Sequence, residues 1–509
     1  MRLSGIQFSR LPHHVIRRFR SSVSASQDDD VFANSLRKTV DAHRSSNRAR
    51  LIRKTYPRSP APGLFRPTIP PENRPGYQLP APPVLEPFKP VPKKTKSKKH
   101  SRQRKPELNA QLTDARKETY AIRKSTSTRL GCPEQTPWLS YLELPEGIGD
   151  ASAHLDAEIL ALDRYLSTSP REQHQIDQVR WKLVSLLKPV APHAPKLIGS
   201  RATGLALAHS DLSLFLPYED FPPTLDHVRK PRVTISQIQD SCMRLLHKVE
   251  SALQEDPAFH GQVRLNSKNN RAVDAQHRPT GLSLHVVCGE RVPAISEYLK
   301  DYLVEYPVLR PLYTSLRVLL ETQGLYGSSQ SGVGIAPSAL ALLVVAFLKM
   351  NHGRFPGSHR LGDQLLALLQ FYSTGVDLQA FGVAVDPPSF FNVDILRPVP
   401  HQETEPAYLR GQRSLMAAKR TAAIRGNISA SRRLCIQDPT HYMKDLGRSC
   451  THTAELQSAF AAAYQQLRAA CDAWDGPQEN TSILTTALRA NFDVLEDLRS
   501  QIVFPVDPH

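Results

Sequence analysis

Gly199-Ser-Arg-Ala-Thr-Gly204-Leu-Ala-Leu-Ala-His-Ser210-Asp211-Leu-Ser213-Leu-Phe-Leu216 is the stretch that decides the fold. It follows a short apolar strand, Lys196-Leu-Ile198, and opens with a Gly-Ser turn. A Gly-containing loop and helix start come next, and then a strand that alternates polar with apolar residues. Backbone N–H groups and a hydroxyl at such a turn suit phosphate oxygens. A carboxylate projecting from the next strand is placed to hold Mg²⁺ against those phosphates. Gly-Ser pairs are common, however, and a lone strand Asp is ordinarily a surface residue. The pattern alone does not assign a function.

Working outward, Leu155, Ile159, Leu162 and Leu166 share one helical face, and Val179, Leu183 and Leu187 line a second helix after the turn Ser167–Pro170. Two helices leading into a strand describe the entry to a mixed unit of helices and sheet. Downstream, the ten-residue apolar run Ala339–Leu348 is too short for a bilayer, which needs ~20 residues, and reads as a buried helix with no membrane span. Residues 398–433 are polar and basic, with Arg410, Arg413, Lys419, Arg420, Arg425, Arg432 and Arg433, and read as an exposed loop or an insertion over a cleft, the loop being preferred. Ala454–Leu467 and Ile483–Ile502 read as amphipathic helices that pack their apolar stripes into a core.

The spacing of Gly199-Ser200 and Asp211-Leu-Ser213 resembles the signature of the polymerase-β-type nucleotidyltransferases, in their non-templated poly(A)/poly(U) polymerase branch. The resemblance extends to the lead-in LDAEILALDRYL (155–166), to TGLSLHVVCG (280–289), YPVLRPLYTSLRVLLETQGL (306–325), SGVGIAPSALALLVVAFL (331–348), LGDQLLALLQFYSTGVDL (361–378) and LCIQDPTHYMKDLGRS (434–449), all collinear over about residues 150–470. The fold it implies is α+β: a nucleotidyltransferase palm, with a mixed sheet and helices, and a mainly helical poly(A)-polymerase-associated domain. The boundaries expected are 138–300 for the palm, 301–470 for the helical domain and 471–509 for a C-terminal helical tail.

The resemblance also implies two-metal transfer of a nucleotide to an RNA 3′ end, with three carboxylates holding the ions. Carried over, the first carboxylate is Asp211, the retained metal ligand. The second position holds Ser213 and the third His285. A serine hydroxyl is neutral, and an imidazole is a softer ligand than Mg²⁺ prefers. Gly199, Ser200, Arg317 and Ser338 stand at the nucleotide-binding positions, Arg317 replacing a lysine that meets the triphosphate. Ala339 stands where the family has a tyrosine that stacks on the base. Asp274 precedes His285 in a polar stretch that reads as a loop, and Glu219-Asp220 follow a strand that Pro217 ends. Neither is expected to replace the missing acids.

The net charge of +17 is local: residues 1–110 hold 24 Lys+Arg against 7 Asp+Glu, and the remaining residues balance. Residues 1–27 carry five arginines, several serines, interleaved apolar residues and no acid, the composition of a mitochondrial transit peptide. A Pro-rich and basic stretch over 28–130 is expected to be disordered. Within it Lys93, Lys94, Lys96, Lys98, Lys99, Arg102, Arg104 and Lys105 suit sequence-independent phosphate contact or a plain solvated linker, with a nuclear signal a third reading. Six cysteines without a CxxC pair argue against structural zinc and a disulfide framework.

These readings converge on a mitochondrial matrix protein that acts on or binds RNA 3′ ends, with weak or lost catalysis. RNA and other mitochondrial RNA-processing or translation proteins are the partners implied. The alternative is an active adenylyl- or uridylyltransferase with a displaced metal ligand, using Mg²⁺ or Mn²⁺ and an NTP. A generic helical scaffold with a basic tail is the third hypothesis, and six ordered motifs stand against it.

Overall fold

The computed structural model describes residues 121–125, 134–143, 150–217, 235–259, 261–266, 272–289, 292–327, 334–355, 360–396, 405–476 and 481–505. The expected transit peptide, the basic run Lys93–Lys105, Glu219, Asp220 and Cys132 lie outside them. No described helix is long and apolar enough to cross a membrane.

Helix α1 (Ala151–Leu166) buries Leu155, Ile159, Leu162 and Leu166 on one face, as the heptad-like spacing requires. Helix α2 (Pro170–Leu187) starts in a capping box: the Ser169 hydroxyl accepts from the Glu172 N–H at 3.3 Å and Glu172 Oε2 accepts from the Ser169 N–H at 2.6 Å. Strand β1 (Lys196–Ile198), a short helix α3 (Gly199–Thr203) and strand β2 (Leu212–Pro217) follow. Helix α4 (Ile235–Glu255) leads to β3 (Val263–Asn266), β4 (Ala272–His277) and β5 (Leu282–Gly289). The five strands form a mixed sheet in the order β1-β2-β5-β4-β3, with β2 and β5 parallel and the other pairs antiparallel.

The rest is mainly helical. Helices α5 (Ile295–Glu305), α6 (Leu309–Thr322), α7 (Pro337–Met350) and α8 (Leu361–Gln370) precede a two-stranded ladder, β6 (Gly382–Val385) with β7 (Pro388–Phe391). Helix α9 (Ala407–Ile424) and a one-turn helix α10 (Ile428–Arg432) follow, then the pair β8 (Gln437–Asp438) and β9 (His441–Asp445), and helix α11 (Thr453–Asp472). The architecture is therefore α+β, as expected.

Two cores organise these elements. Leu212, Leu214 and Leu216 of β2 and Leu284 and Val286 of β5 face α2 and α4 in the first. The second joins α1 to α5 through α8, α11 and the segment 483–495. Helix α1 thus precedes the sheet in sequence but packs with the helical part.

Three local expectations are corrected. The segment 398–433 holds an 18-residue helix, α9, because Ala, Arg, Leu, Gln and Lys form helix readily and no proline interrupts 407–424. Ile483–Ile502 is not continuous: after α12 (Thr485–Leu488), Arg489 takes a left-handed conformation with φ 43°, Ala490–Asn491 pairs with Arg123–Lys124, and α13 (Asp493–Val503) begins. That ladder packs part of the linker expected to be disordered to residue 130, and Ile122 beside it is fully buried.

Candidate active site

The alternation of a strand sends successive side chains to opposite faces. With Leu212, Leu214 and Leu216 turned to the core, Ser213 is turned to the other face. The same period places His285, between Leu284 and Val286, and Asp274, between Val273 and Ala275, on that face too. Register aligns the three: Ser213 pairs with His285 across β2–β5, and His285 pairs with Asp274 across β5–β4. The row Ser213–His285–Asp274 therefore crosses three strands, immediately beside Asp211, which precedes β2.

Asp274 is thus on a strand, not in a loop. The polar composition of the strand hid its alternation: Val273, Ala275 and His277 are buried while Asp274 and Gln276 lie on the other face, and Ala272 at its start is buried too. Its Oδ1 lies 2.5 Å from His285 Nδ1. A neutral imidazole placed so donates Nδ1–H to the carboxylate, and an imidazolium does the same with added Coulomb attraction. Ser213 is directed away from this pair: its Oγ lies 3.2 Å from where a Cβ on Gly199 would stand, on the β1 side. No hydroxyl–imidazole relay forms. Gly199 itself has φ 73°, a conformation that only glycine adopts freely, and this turns the chain from β1 into α3.

The segment ahead of Asp211 is held by two arginines, Arg201 half-buried and Arg317 buried. Arg201 in α3 donates from Nε and Nη2 to Ser210 O, at 3.0 and 2.5 Å, and from Nη2 to Ala208 O at 3.1 Å. Burial pulls its guanidinium down to about 10, against the attraction of Asp211. Arg317 in α6 is only 4% exposed. It donates to Glu321 Oε1 at 2.7 Å and to Ser210 Oγ at 2.8 Å, contacts His209 Nε2 at 3.0 Å, and lies 4.8 Å from the Tyr326 ring centroid. His209 Nε2 also approaches Glu321 Oε2 at 3.1 Å, so that nitrogen serves either the arginine as acceptor or the carboxylate as donor. Burial pushes the Glu321 carboxyl up, but His209 and Arg317 outweigh it and hold it at about 2.

Asp211 is exposed to solvent. The protein mass around it raises its carboxyl above the ordinary range, while Arg317, His285, His209 and Arg201 pull it back. The side chain is open to water, and solvent screens both effects.

A pair of Mg²⁺ ions does not fit this donor set. Asp211 is one carboxylate, Ser213 is neutral, and the Nδ1 of His285 is occupied by Asp274. Among the described residues no group of three or more His, Cys, Asp and Glu side chains is arranged to hold a metal ion. The nucleotide positions are altered in the same direction. Arg317 is committed to an internal network, and Ala339, fully buried in α7, offers a methyl group to the core. Ser338, at the first turn of α7, and Ser200, in α3, remain partly accessible.

Sequence reading missed Arg201, His209, Ser210 and Glu321. Glu321 had a visible signal, since it directly follows the Leu-rich run Leu316–Leu320, four residues after Arg317, and completes an i,i+4 pair.

No family model matches the chain. It is 22% identical over 318 residues to the inactive non-canonical poly(A) RNA polymerase protein Trf4-2 of Drosophila melanogaster, which covers 62% of this chain and 68% of that protein. Its fold is similar to the polymerase core of TRAMP, an RNA surveillance complex, with TM-score 0.53 and 16% identity over 70% of this chain and 99% of that one. A structure of mtPAP in complex with ATPγS superposes at TM-score 0.47, with 14% identity, over 65% of this chain and 72% of that one. The five-stranded mixed sheet and its helical companion thus give this chain a fold similar to that polymerase core, and its sequence is similar to that of a non-canonical poly(A) RNA polymerase protein.

Proposed function

We propose that this protein is a poly(A)-polymerase-like RNA-processing factor of the mitochondrial matrix that engages RNA 3′ ends without two-metal catalysis. The single observation that carries the reading is the row across the sheet. Where three carboxylates are needed, Asp211 stands with a neutral Ser213 and with a His285 already bonded to Asp274 at 2.5 Å. Arg317, Glu321, His209 and Ser210 bond one another within the protein. Charge neutrality there needs neither metal nor triphosphate, so this chain's residues order the loop ahead of Asp211 by themselves. The composition of residues 1–27 supports the mitochondrial address, and the cationic run Lys93–Lys105 supports RNA as the ligand. The relative that is named inactive supports the loss of transfer.

The test incubates the full chain with an RNA primer and each NTP, in Mg²⁺ and in Mn²⁺. No extension is expected, and RNA binding that EDTA leaves unchanged is expected. Robust extension abolished by Asp211→Ala would sink the reading.

A second reading follows from the position of Asp274. It is a carboxylate on the same face as the Asp211 strand, one strand beyond His285, and in an active enzyme it is the displaced ligand. Extension lost equally in Asp211→Ala and Asp274→Ala separates this reading from the first.

A further inference from the structure

The segment 406–437 contains seven Lys and Arg residues and no Asp or Glu. The fold divides these cations by use. Arg413 donates to Ile395 O at 2.8 Å and pairs with Glu405 at 2.8 Å. Lys419 is buried and donates to Gln379 O and Arg433 O at 2.7 and 2.8 Å, and burial lowers its ammonium from the usual lysine range. Arg433 pairs with Asp445 at 3.4 Å. Arg413 and Lys419 fasten α9 to its surroundings, and Arg433 ties the segment after α10 to β9. At the base of the helix Gly411 lies so close to β9 that a Cβ there would stand 2.3 Å from Tyr442 O, which fixes the direction in which α9 projects.

The other four, Arg410, Arg420, Arg425 and Arg432, are exposed, and none of them meets a carboxylate among the described residues. Three lie around the tip, where α9 ends at Ile424, Gly426 turns the chain with φ 73°, and Asn427 caps α10 by accepting from the Ala430 N–H at 3.1 Å. A rise of 1.5 Å per residue separates Arg420 and Arg425 by about 7.5 Å along the axis. Ile424 and Ile428 are 77% and 64% exposed between them. The tip is therefore a well-formed helical hairpin that presents unpaired guanidinium groups around a small apolar patch.

We infer that the tip of the α9–α10 hairpin is an RNA-docking surface, with Arg420, Arg425 and Arg432 on backbone phosphates and Ile424 and Ile428 against base or sugar faces. The inference rests on the reading that this chain binds RNA, and it assigns the contact to one element. Guanidinium groups suit phosphate because their planar fork donates two parallel hydrogen bonds and is weakly hydrated. The apolar patch is two side chains, far short of the ~800 Å² per partner of a stable protein interface, whereas a single strand needs only local stacking surface. Arginines left unpaired on a chain whose described part is balanced in charge fit a polyanion that steers in by Coulomb attraction.

The test measures binding of the full chain to a fluorescein-labelled oligouridylate by anisotropy over a range of salt. The variant Arg420→Glu/Arg425→Glu/Arg432→Glu is compared with its parent and with Arg420→Lys/Arg425→Lys/Arg432→Lys. Both are repeated in a background where Lys93, Lys94, Lys96, Lys98 and Lys99 are alanine, so that the basic run does not mask the hairpin. The glutamate variant is expected to bind at least tenfold more weakly. Its salt slope is expected to fall by about 2, since each single-strand phosphate contact contributes about 0.7. The lysine variant is expected to keep the slope and lose affinity only several-fold. A glutamate variant with unchanged affinity and slope, beside a parent that binds, overturns the hairpin assignment, leaves RNA binding intact and turns attention to an acidic protein partner. A parent that fails to bind RNA overturns the underlying reading and this inference with it. Thermal unfolding is the control, because exposed substitutions leave the midpoint where it was.

Discussion

His285 Nδ1 and Asp274 Oδ1 meet at 2.5 Å across two antiparallel strands. This contact decides how the missing carboxylates can be put back. In His285→Asp a second carboxylate would face Asp274 at close range, and two acids so placed share a proton. The variant Ser213→Asp/His285→Asp is therefore expected to gain little metal-dependent extension. Adding Asp274→Asn removes the competing charge and supplies a hydrogen-bond donor. The triple variant is expected to extend an RNA primer in Mg²⁺ measurably above the double, on a denaturing gel, and Asp211→Ala in the triple is expected to abolish it.

Arg317 and Glu321 act as one unit with His209 and Ser210. Removing one partner leaves a buried charge unpaired, so Glu321→Leu is expected to cost about 3–5 kcal/mol. Replacing both with apolar residues of similar size, as in Arg317→Met/Glu321→Leu, removes two desolvated charges together and is expected to cost less than the sum of the single changes. Urea unfolding of the four proteins of this cycle measures the difference. Additive single costs would show that the two side chains do not act as a pair.

Much of this architecture was legible because it rests on local pattern. The strands Lys196–Ile198 and Leu212–Pro217 and the helices α1, α2 and α7 follow from apolar pattern and turn residues, while α6 was expected only from the resemblance. What was not legible depends on register and on long-range pairing. Asp274 belongs to the site because β4 is antiparallel to β5 with Asp274 opposite His285, and nothing in a polar stretch states its partner strand. Arg317 looked like a nucleotide ligand because its position matched. Its commitment to Ser210, 107 residues away in sequence, exists only once α6 packs on the segment before β2. The loop reading of 398–433 failed for another reason: seven cations suggested a solvated chain, while the helix-forming residues between them decided the local structure.

Glu321 gives an acid limb to stability. Its folded carboxyl is held at about 2 against an ordinary 4.5. Between those values the unfolded state binds more protons, so stability rises with pH there. The contribution is full above about pH 4.5 and is lost as the pH falls toward 2, and a shift of this size is worth about 3 kcal/mol. Denaturant midpoints from pH 6 down to 3 are expected to fall more steeply for the parent than for Glu321→Gln, which has no proton to gain. Parallel slopes would remove Glu321 from the cause.

Gly199 tests the turn apart from any chemistry. Its φ of 73° is left-handed, and a Cβ there would stand 3.2 Å from Ser213 Oγ. Gly199→Ala faces both the left-handed backbone, which costs an L-residue about 1–2 kcal/mol, and a contact that must open by a few tenths of an ångström. Ser213→Gly in the same chain removes the contact but not the backbone term. Gly199→Ala/Ser213→Gly is therefore expected to regain part of the loss attributed to alanine, after the separate cost of Ser213→Gly is subtracted, and never all of it. Full recovery would mean that the serine contact alone dictates glycine at this turn. No recovery would mean that the backbone conformation does, and that the hydroxyl at 213 is free to become a carboxylate without disturbing β1.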